Sequence, residues 1–287
     1  MDNATVSATE NPAQNVGEDT AENGVQETVS YPHARPEEHI VSQLGLLVSR
    51  AGEEMHGSAP VYPEMFVPGT TCLRTSILAT WADVLSGHVS IGVLAPRVPV
   101  TLDLDVQLHR PPRDLEAVEA RARLVKAGKA VLVVRIDFTD GRGEEVAFGT
   151  ASFMPVPNPA VVLPPEVIDG TAIPRQRGRL TAPFAERARC TVPEPGVATL
   201  PRAEDAINAS NTINGGLLAL TAEEAALSLT PGTTLASLSM RYLRPVRVGP
   251  AVATAQVRGA LGSVEVRDAG SDNRLGVLAV TRAFEGL

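Results

Sequence analysis

Few residues in this chain stand where their chemistry is conspicuous. Asp83 is a lone charge in the apolar stretch Trp81–Leu85. A carboxylate so placed either faces solvent or caps a neighbouring element, or it serves as an acid–base group. Gly215 and Gly216 open a second apolar helical stretch. They either loosen the start of that helix or expose its free N–H groups, whose positive partial charge suits a developing oxyanion. Glu223 lies eight residues beyond Gly215, about 12 Å along a helix axis. One reacting carbon cannot sit within about 3 Å of both, so a base acting with Gly215 must come from another helix. Arg110, Arg113, Arg244 and Arg247 follow two matching strands, and Lys126 and Lys129 flank a turn. Arg is suited to phosphate by its bidentate fork, although a solvated rim needs no such role. His88 is expected just past a helix end, where the dipole accounts for it.

Other chemistries lack their residues. There is no G-x-S-x-G, so a hydrolase nucleophile elbow is excluded, and no G-x-G-x-x-G or P-loop occurs. Cys72 and Cys190 form neither a C-x-x-C nor a metal-ligand set, which implies two free thiols. The formal net charge of −8 argues against nucleic-acid binding. No apolar run is expected to reach the roughly 20 residues that span a bilayer. The first residues lack a basic and then apolar leader, so a cytoplasmic location is expected.

The elements that would position these residues fall into two similar halves. Residues 1–30 carry six acidic and no basic side chains and are expected to be a disordered acidic tail. In the first half, Pro36–Ala51 has helical spacing, Val61–Val67 suits a short strand, and Cys72–Ser86 is a helix that Gly87 would end. Thr101–His109, Val118–Val125, Lys129–Thr139 and Glu144–Met154 read as strands, with Asp140–Gly141 as a hairpin turn. Residues 156–180, rich in proline, read as a linker. The second half repeats the order: a broken strand region at Arg187–Leu200, a helix at Thr212–Leu229, then strands at Leu235–Leu243, Ala251–Arg258, Ser263–Arg267 and Leu275–Phe284. "TLDLDVQLHRP" (Thr101–Pro111) and "LASLSMRYLRP" (Leu235–Pro245) are the same element. Two copies of one α+β unit follow, each a helix wrapped by an antiparallel sheet.

That order of elements resembles the hotdog fold. In particular "WADVLSG" (Trp81–Gly87), "LVKAGKAVLVVRIDFTDGRGEEVAFGTASF" (Leu124–Phe153), "NASNTINGGLLALTAEE" (Asn208–Glu224) and "YLRP" (Tyr242–Pro245) resemble blocks of the PaaI-type acyl-CoA thioesterases. The resemblance implies two tandem hotdog domains, 31–155 and 181–287, hydrolysis of acyl-CoA without metal or cofactor, and a homodimer of chains. It also implies an Asn before the helix, a Gly whose N–H polarises the thioester carbonyl, a carboxylate eight residues on, and a Ser or Thr at the start of the next strand. The second half holds Asn208, Gly215 and Glu223 but Leu235 at the strand position. The first half holds Pro68, Thr75, Asp83 and Thr101. Combined across the halves, Asn208, Gly215, Asp83 and Thr101 make one complete catalytic set, with Asp83 as general base or nucleophile. The reciprocal set, Pro68, Thr75, Glu223 and Leu235, is degenerate. Gly216, Asn214, Arg110, Arg244 and Lys129 are the implied substrate-binding residues, Asn214 standing where the family has His. The related double-hotdog hydratases carry a "GD-x-N-P-x-H" stretch, which is absent, and no His is expected in either central helix. A non-catalytic acyl-CoA or lipid-binding double hotdog is the alternative.

Overall fold

The computed structural model describes residues 38–170, 177–208 and 210–284. The acidic segment 1–30, expected to be disordered, lies outside them. Alternation builds the strands. In β4 (Ala117–Ala127), Val118, Ala120 and Ala122 are buried, while Glu119, Arg121 and Arg123 are exposed. In β5 (Leu132–Asp140), Leu132, Val134, Ile136 and Phe138 are buried in the same way. With β1 (Leu47–Ala51), β2 (Glu54–Pro60), β3 (Pro99–Leu108) and β6 (Glu145–Pro155), they form half of one antiparallel sheet. The other half comprises β7 (Thr191–Glu194), β8 (Val197–Leu200), β9 (Leu235–Tyr242), β10 (Ala251–Arg258), β11 (Leu261–Asp268) and β12 (Arg274–Ala283). The 12-stranded order is β1-β2-β4-β5-β6-β3-β9-β12-β11-β10-β8-β7.

The halves therefore join edge to edge through β3 and β9, and their register locates a local twofold. Asp105 pairs with Ser239, Leu104 with Met240 and Val106 with Leu238. The repeat that aligns Pro111 with Pro245 also aligns Asp105 with Ser239, so these two residues sit on the axis. There Ser239 Oγ donates to Asp105 Oδ1. Each half carries one long helix against the sheet, α2 (Thr75–Leu94) and α5 (Gly215–Ser228), and these two helices also pack on each other. A Cβ at Gly216 would overlap Thr80 Oγ1 of α2, so the crossing requires glycine there. Trp81, Leu85, Ile136 and Phe138 share one continuous core with Leu217, Leu220, Leu238 and Met240. Each such side chain contributes about 1.5–3 kcal/mol by leaving water. Shorter helices are α1 (Ile40–Gln43), α3 (Pro165–Ile168) and α4 (Phe184–Arg187). Within the Pro-rich 156–180 stretch, Leu163 N–H bonds to Pro96 O, and Val167 is buried with Val98 and Leu163.

Several expectations are corrected. Among the described residues of Pro36–Ala51, only Ile40–Gln43 is helical, and Leu47–Ala51 is strand β1. Gly45, at φ +70°, ends the turn, and pairing with β2 takes the rest. Val61–Val67 is no strand; Pro63–Met65 forms a 3₁₀ turn and the strand lies just before it. Gly87 does not end α2, which continues to Leu94 with Val89 and Ser90 buried. Burial there outweighs the roughly 1 kcal/mol that an internal glycine costs a helix. His88 consequently lies inside a central helix rather than beyond its cap. The Asp140 hairpin forms, but Gly143 takes the positive φ of +83°, and the Asp140 carboxylate accepts from the N–H groups of Arg142 and Glu144. Finally, α2, 20 residues long, is by length and composition apolar enough to cross a membrane, its most apolar 18-residue window having a mean hydropathy of 1.4. Trp81, Ala82 and Leu85 are wholly buried within the fold, the pattern of a core helix.

Candidate active site

The start of α5 faces the middle of α2. Asn214 caps α5: its Oδ1 accepts from Gly216 N–H at 2.8 Å, and its backbone carbonyl accepts from Leu217 and Leu218. Gly215 N–H is left as the first-turn donor with no acceptor among the described residues. Tyr242, at the end of β9, donates through Oη to the Gly215 carbonyl at 3.1 Å. From α2 comes Asp83, whose Oδ1 accepts from Thr101 Oγ1 at 2.9 Å. Its other oxygen, Oδ2, lies beside Gly215. A Cβ added to Gly215 would come within 3.4 Å of Asp83 Oδ2 and 3.1 Å of Tyr242 Oη.

Electrostatics follow from this packing. Burial pushes the Asp83 carboxyl up to about 6, against the opposing pull of the Thr101 hydroxyl. The Tyr242 phenol is pushed well above its ordinary range by burial and by the Asp83 charge. A carboxylate, an unclaimed helix-terminal N–H and a neutral phenol thus surround one glycine. Such a carboxylate can take a proton near neutral pH. The N–H, reinforced by the α5 dipole, can hold an oxyanion.

The reciprocal position, related by the local twofold, is closed. Glu223 is the counterpart of Asp83 and is fully buried. Its carboxylate accepts from Thr75 N–H at 2.9 Å, Ser76 N–H at 3.3 Å and Ser76 Oγ at 2.6 Å. Arg74 stands between Glu223, at 3.3 Å, and Glu224. Burial raises the Glu223 carboxyl, while Arg74 and Ser76 draw it back toward the charged form. Glutamate is one methylene longer than aspartate. At this end it reaches the helix N–H groups, whereas across the axis Asp83 leaves Gly215 N–H open. Thr75 Oγ1 donates to Leu235 O at 2.9 Å, and Leu235, at the strand position, has no hydroxyl to offer Glu223.

The remaining sequence-predicted residues divide. Asn208 Oδ1 accepts from Ser210 N–H, Thr212 N–H and Thr212 Oγ1, which fastens the loop before α5. Its first-half counterpart by hydrogen-bond register is Val67, not Pro68: Val67 N–H bonds to Cys72 O as Asn208 N–H bonds to Thr212 O. The first loop is one residue longer, which a count back from the helix overlooks. Gly216 serves the helix crossing, and its N–H is taken by Asn214. Arg110 pairs with Asp140 at 2.8 Å, at the opposite end of β3 from Thr101. Arg244 is exposed two residues past Tyr242. Lys129 is exposed in the β4–β5 turn, and pairing of Leu132 with Phe153 and of Phe153 with Thr101 puts that turn at the Thr101 end of the sheet. Sequence reading missed Tyr242 as a site residue, although "YLRP" contains it; nothing local shows that a strand tyrosine touches the start of a distant helix. Among the described residues, no group of three or more His, Cys, Asp or Glu could hold a metal. Cys72 and Cys190 are free and buried.

Comparison with known proteins places this geometry in a fold. The family model of the thioesterase superfamily matches residues 76–147, from the first turn of α2 into β6. No curated protein matches the chain in sequence. An acyl-ACP thioesterase from Bacteroides thetaiotaomicron is similar at 13% identity and a TM-score of 0.58, covering 81% of this chain and 98% of its own. The 12:0-ACP thioesterase from Umbellularia californica is similar at 13% identity and a TM-score of 0.59, covering 82% and 99%. At such identities the likeness establishes the fold, the hotdog arrangement of helix and antiparallel sheet.

Proposed function

We propose that the chain is a double-hotdog thioesterase that hydrolyses an acyl-CoA thioester to free acid and CoA, at one composite site between its two halves. One observation carries the reading. Asp83, poised to titrate at about 6, faces an open helix-terminal N–H at Gly215, and the equivalent pair is sealed by Glu223. The family match over α2 to β6 and the thioesterase neighbours support thioester hydrolysis.

The chemistry follows from the charges. The thioester carbonyl oxygen accepts from Gly215 N–H, and the α5 dipole stabilises the oxyanion as it forms. Asp83 Oδ2 takes the proton from the attacking water, while Thr101 holds Oδ1 and fixes the carboxylate plane. Collapse of the tetrahedral intermediate expels the thiolate, which takes up the proton held by Asp83 and returns the carboxylate to its charged form. Tyr242 tethers the Gly215 carbonyl and so holds the N–H in place. Arg244 and Lys129, exposed at this end of the sheet, face outward where CoA phosphates would lie. The reading includes a cytoplasmic enzyme without cofactor, associated as a homodimer of chains.

The experiment is thiol release from a panel of acyl-CoAs and acyl-ACPs by the purified chain and its Asp83→Ala variant. Turnover of acyl-CoA lost in the variant is the expected result. Binding without turnover, unchanged by Asp83→Ala, would return the protein to the class of acyl-CoA-binding modules, and preference for acyl-ACP would replace the substrate.

A further inference from the structure

Helix α2 has 20 residues and α5 only 14. His88 aligns with Ser228, where α5 ends, so the turns from Val89 to Leu94 have no helical counterpart. Ile91 of those extra turns, together with β1, β2 and α3, borders a half-open pocket of about 860 Å³, within the range of roughly 300–1,000 Å³ usual for ligand sites. Leu47, Val48, Met55, Ile91, Val167 and Ile168 give it an apolar wall. Arg50 and His88 line it as well. The Arg50 guanidinium lies over α2 at Gly92, where an added Cβ would stand 3.1 Å from Nη2. No carboxylate pairs with Arg50 among the described residues. His88 is held uncharged, burial and the neighbouring Arg50 drawing it down to about 4, so it does not oppose the guanidinium and keeps one N–H to donate. Of the other charged groups lining the cavity, His56 is tied to Glu54 at 3.5 Å, while Glu119 and Asp169 are exposed.

An exposed guanidinium with no carboxylate partner among the described residues, beside a neutral imidazole and an apolar stretch of the same pocket, is complementary to an anion that carries a hydrocarbon body. We infer that this cavity binds an apolar chain ending in a carboxylate, with the carboxylate on Arg50 and His88 and the chain along Ile91 and Met55. The carboxylate has two sources: a free aliphatic acid, or the far end of an acyl group whose thioester lies at Asp83. Asp83 precedes Ile91 by eight residues on the same helix, about 12 Å along its axis. Only the second source rests on the thioesterase reading.

Isothermal titration of the full chain with octanoate and with octan-1-ol tests the site, because the two differ only in the head group. Octanoate is expected to bind once per chain and at least tenfold more tightly than the alcohol. Arg50→Gln, at an exposed position, should bring octanoate down to the affinity of the alcohol, and Ile91→Trp should fill the cavity and abolish both. Absent octanoate binding, or binding that Arg50→Gln leaves unchanged, overturns the inference. The source is read from kcat/KM for octanedioyl-CoA against octanoyl-CoA. A preference of tenfold or more for the first, erased by Arg50→Gln, assigns the carboxylate to the substrate's far end; equal values with octanoate binding retained assign it to a free acid. If no thioester is hydrolysed, the proposed function fails while the titration still decides the site.

Discussion

Replacing Asp83 by Asn separates the proposed chemistry from the packing. The side chains have the same shape, and Asn Oδ1 can still accept from Thr101, at 2.9 Å in the native protein. What is lost is the charge and the proton acceptor. General acid–base assistance is worth roughly 10²–10⁴-fold, so kcat on an active acyl-CoA should fall by that factor. Stability should move the other way. The native carboxyl is raised from 3.8 to about 6 by burial, which at 1.36 kcal/mol per unit is about 3 kcal/mol against the charged form. Because the side chain is partly open to solvent, a gain of about 1–2 kcal/mol for Asn at pH 8 is the more realistic figure. The folded state holds its proton over a range where the unfolded chain has released it. The carboxyl's stabilising contribution is thus complete below about pH 4 and is lost as pH rises through about 6. Activity should rise over the same interval, as the base is freed. Thiol-release kinetics and thermal melts of both proteins, taken as differences from pH 4.5 to 8, measure both slopes. A variant that keeps kcat within threefold of native, or that melts with the same pH dependence as native, would refute the assignment of Asp83 as the buried base.

Further outcomes follow from the same contacts. Glu223→Gln should leave kcat within a fewfold but destabilise the fold, because buried Arg74 would lose its one fully buried carboxylate and keep only the partly exposed Glu224; a loss of about 3 kcal/mol, on the order of 10 °C in Tm, is expected by calorimetry. Gly216→Ala should destabilise by overlap with Thr80 Oγ1, and adding Thr80→Ala should restore much of the Tm. Tyr242→Phe removes one hydrogen bond to the Gly215 carbonyl; kcat should drop by about three- to tenfold with KM little changed, since a net hydrogen bond is worth about 0.5–1.5 kcal/mol. Light scattering should give twice the mass of one 30.1 kDa chain, and a monomer would contradict the proposed dimer.

The elements legible in the sequence are those whose pattern is set by burial on one face. β4 and β5 alternate strictly because one side meets the core and the other water. The Pro111–Pro245 repeat anticipated the local twofold at Asp105 and Ser239, since equivalent strands carry equivalent patterns. The separation of Gly215 from Glu223 was likewise legible, as helix rise alone requires it.

Tertiary structure decided the rest, wherever a long-range contact outweighed a local preference. Gly87 has the local look of a helix end, but burial of Val89 and Ser90 carries α2 past it and builds the cavity under His88. Pro36–Ala51 has helical spacing, but ladder bonds to β2 are worth more to Leu47–Ala51 than an exposed turn. Glu223 and Asp83 hold the same place in their helices and differ in sequence by the partners of each set, Thr75 and Leu235 against Gly215 and Thr101. The fold brings each to the start of the opposite helix, and there one methylene determines whether the carboxylate bonds to the N–H groups or stops short of them. The sequence, with the family it resembles, already set Asp83 ahead of Glu223; only the packing of α2 against α5 decided what each carboxylate bonds to, Thr101 in one case and the N–H groups of Thr75 and Ser76 in the other.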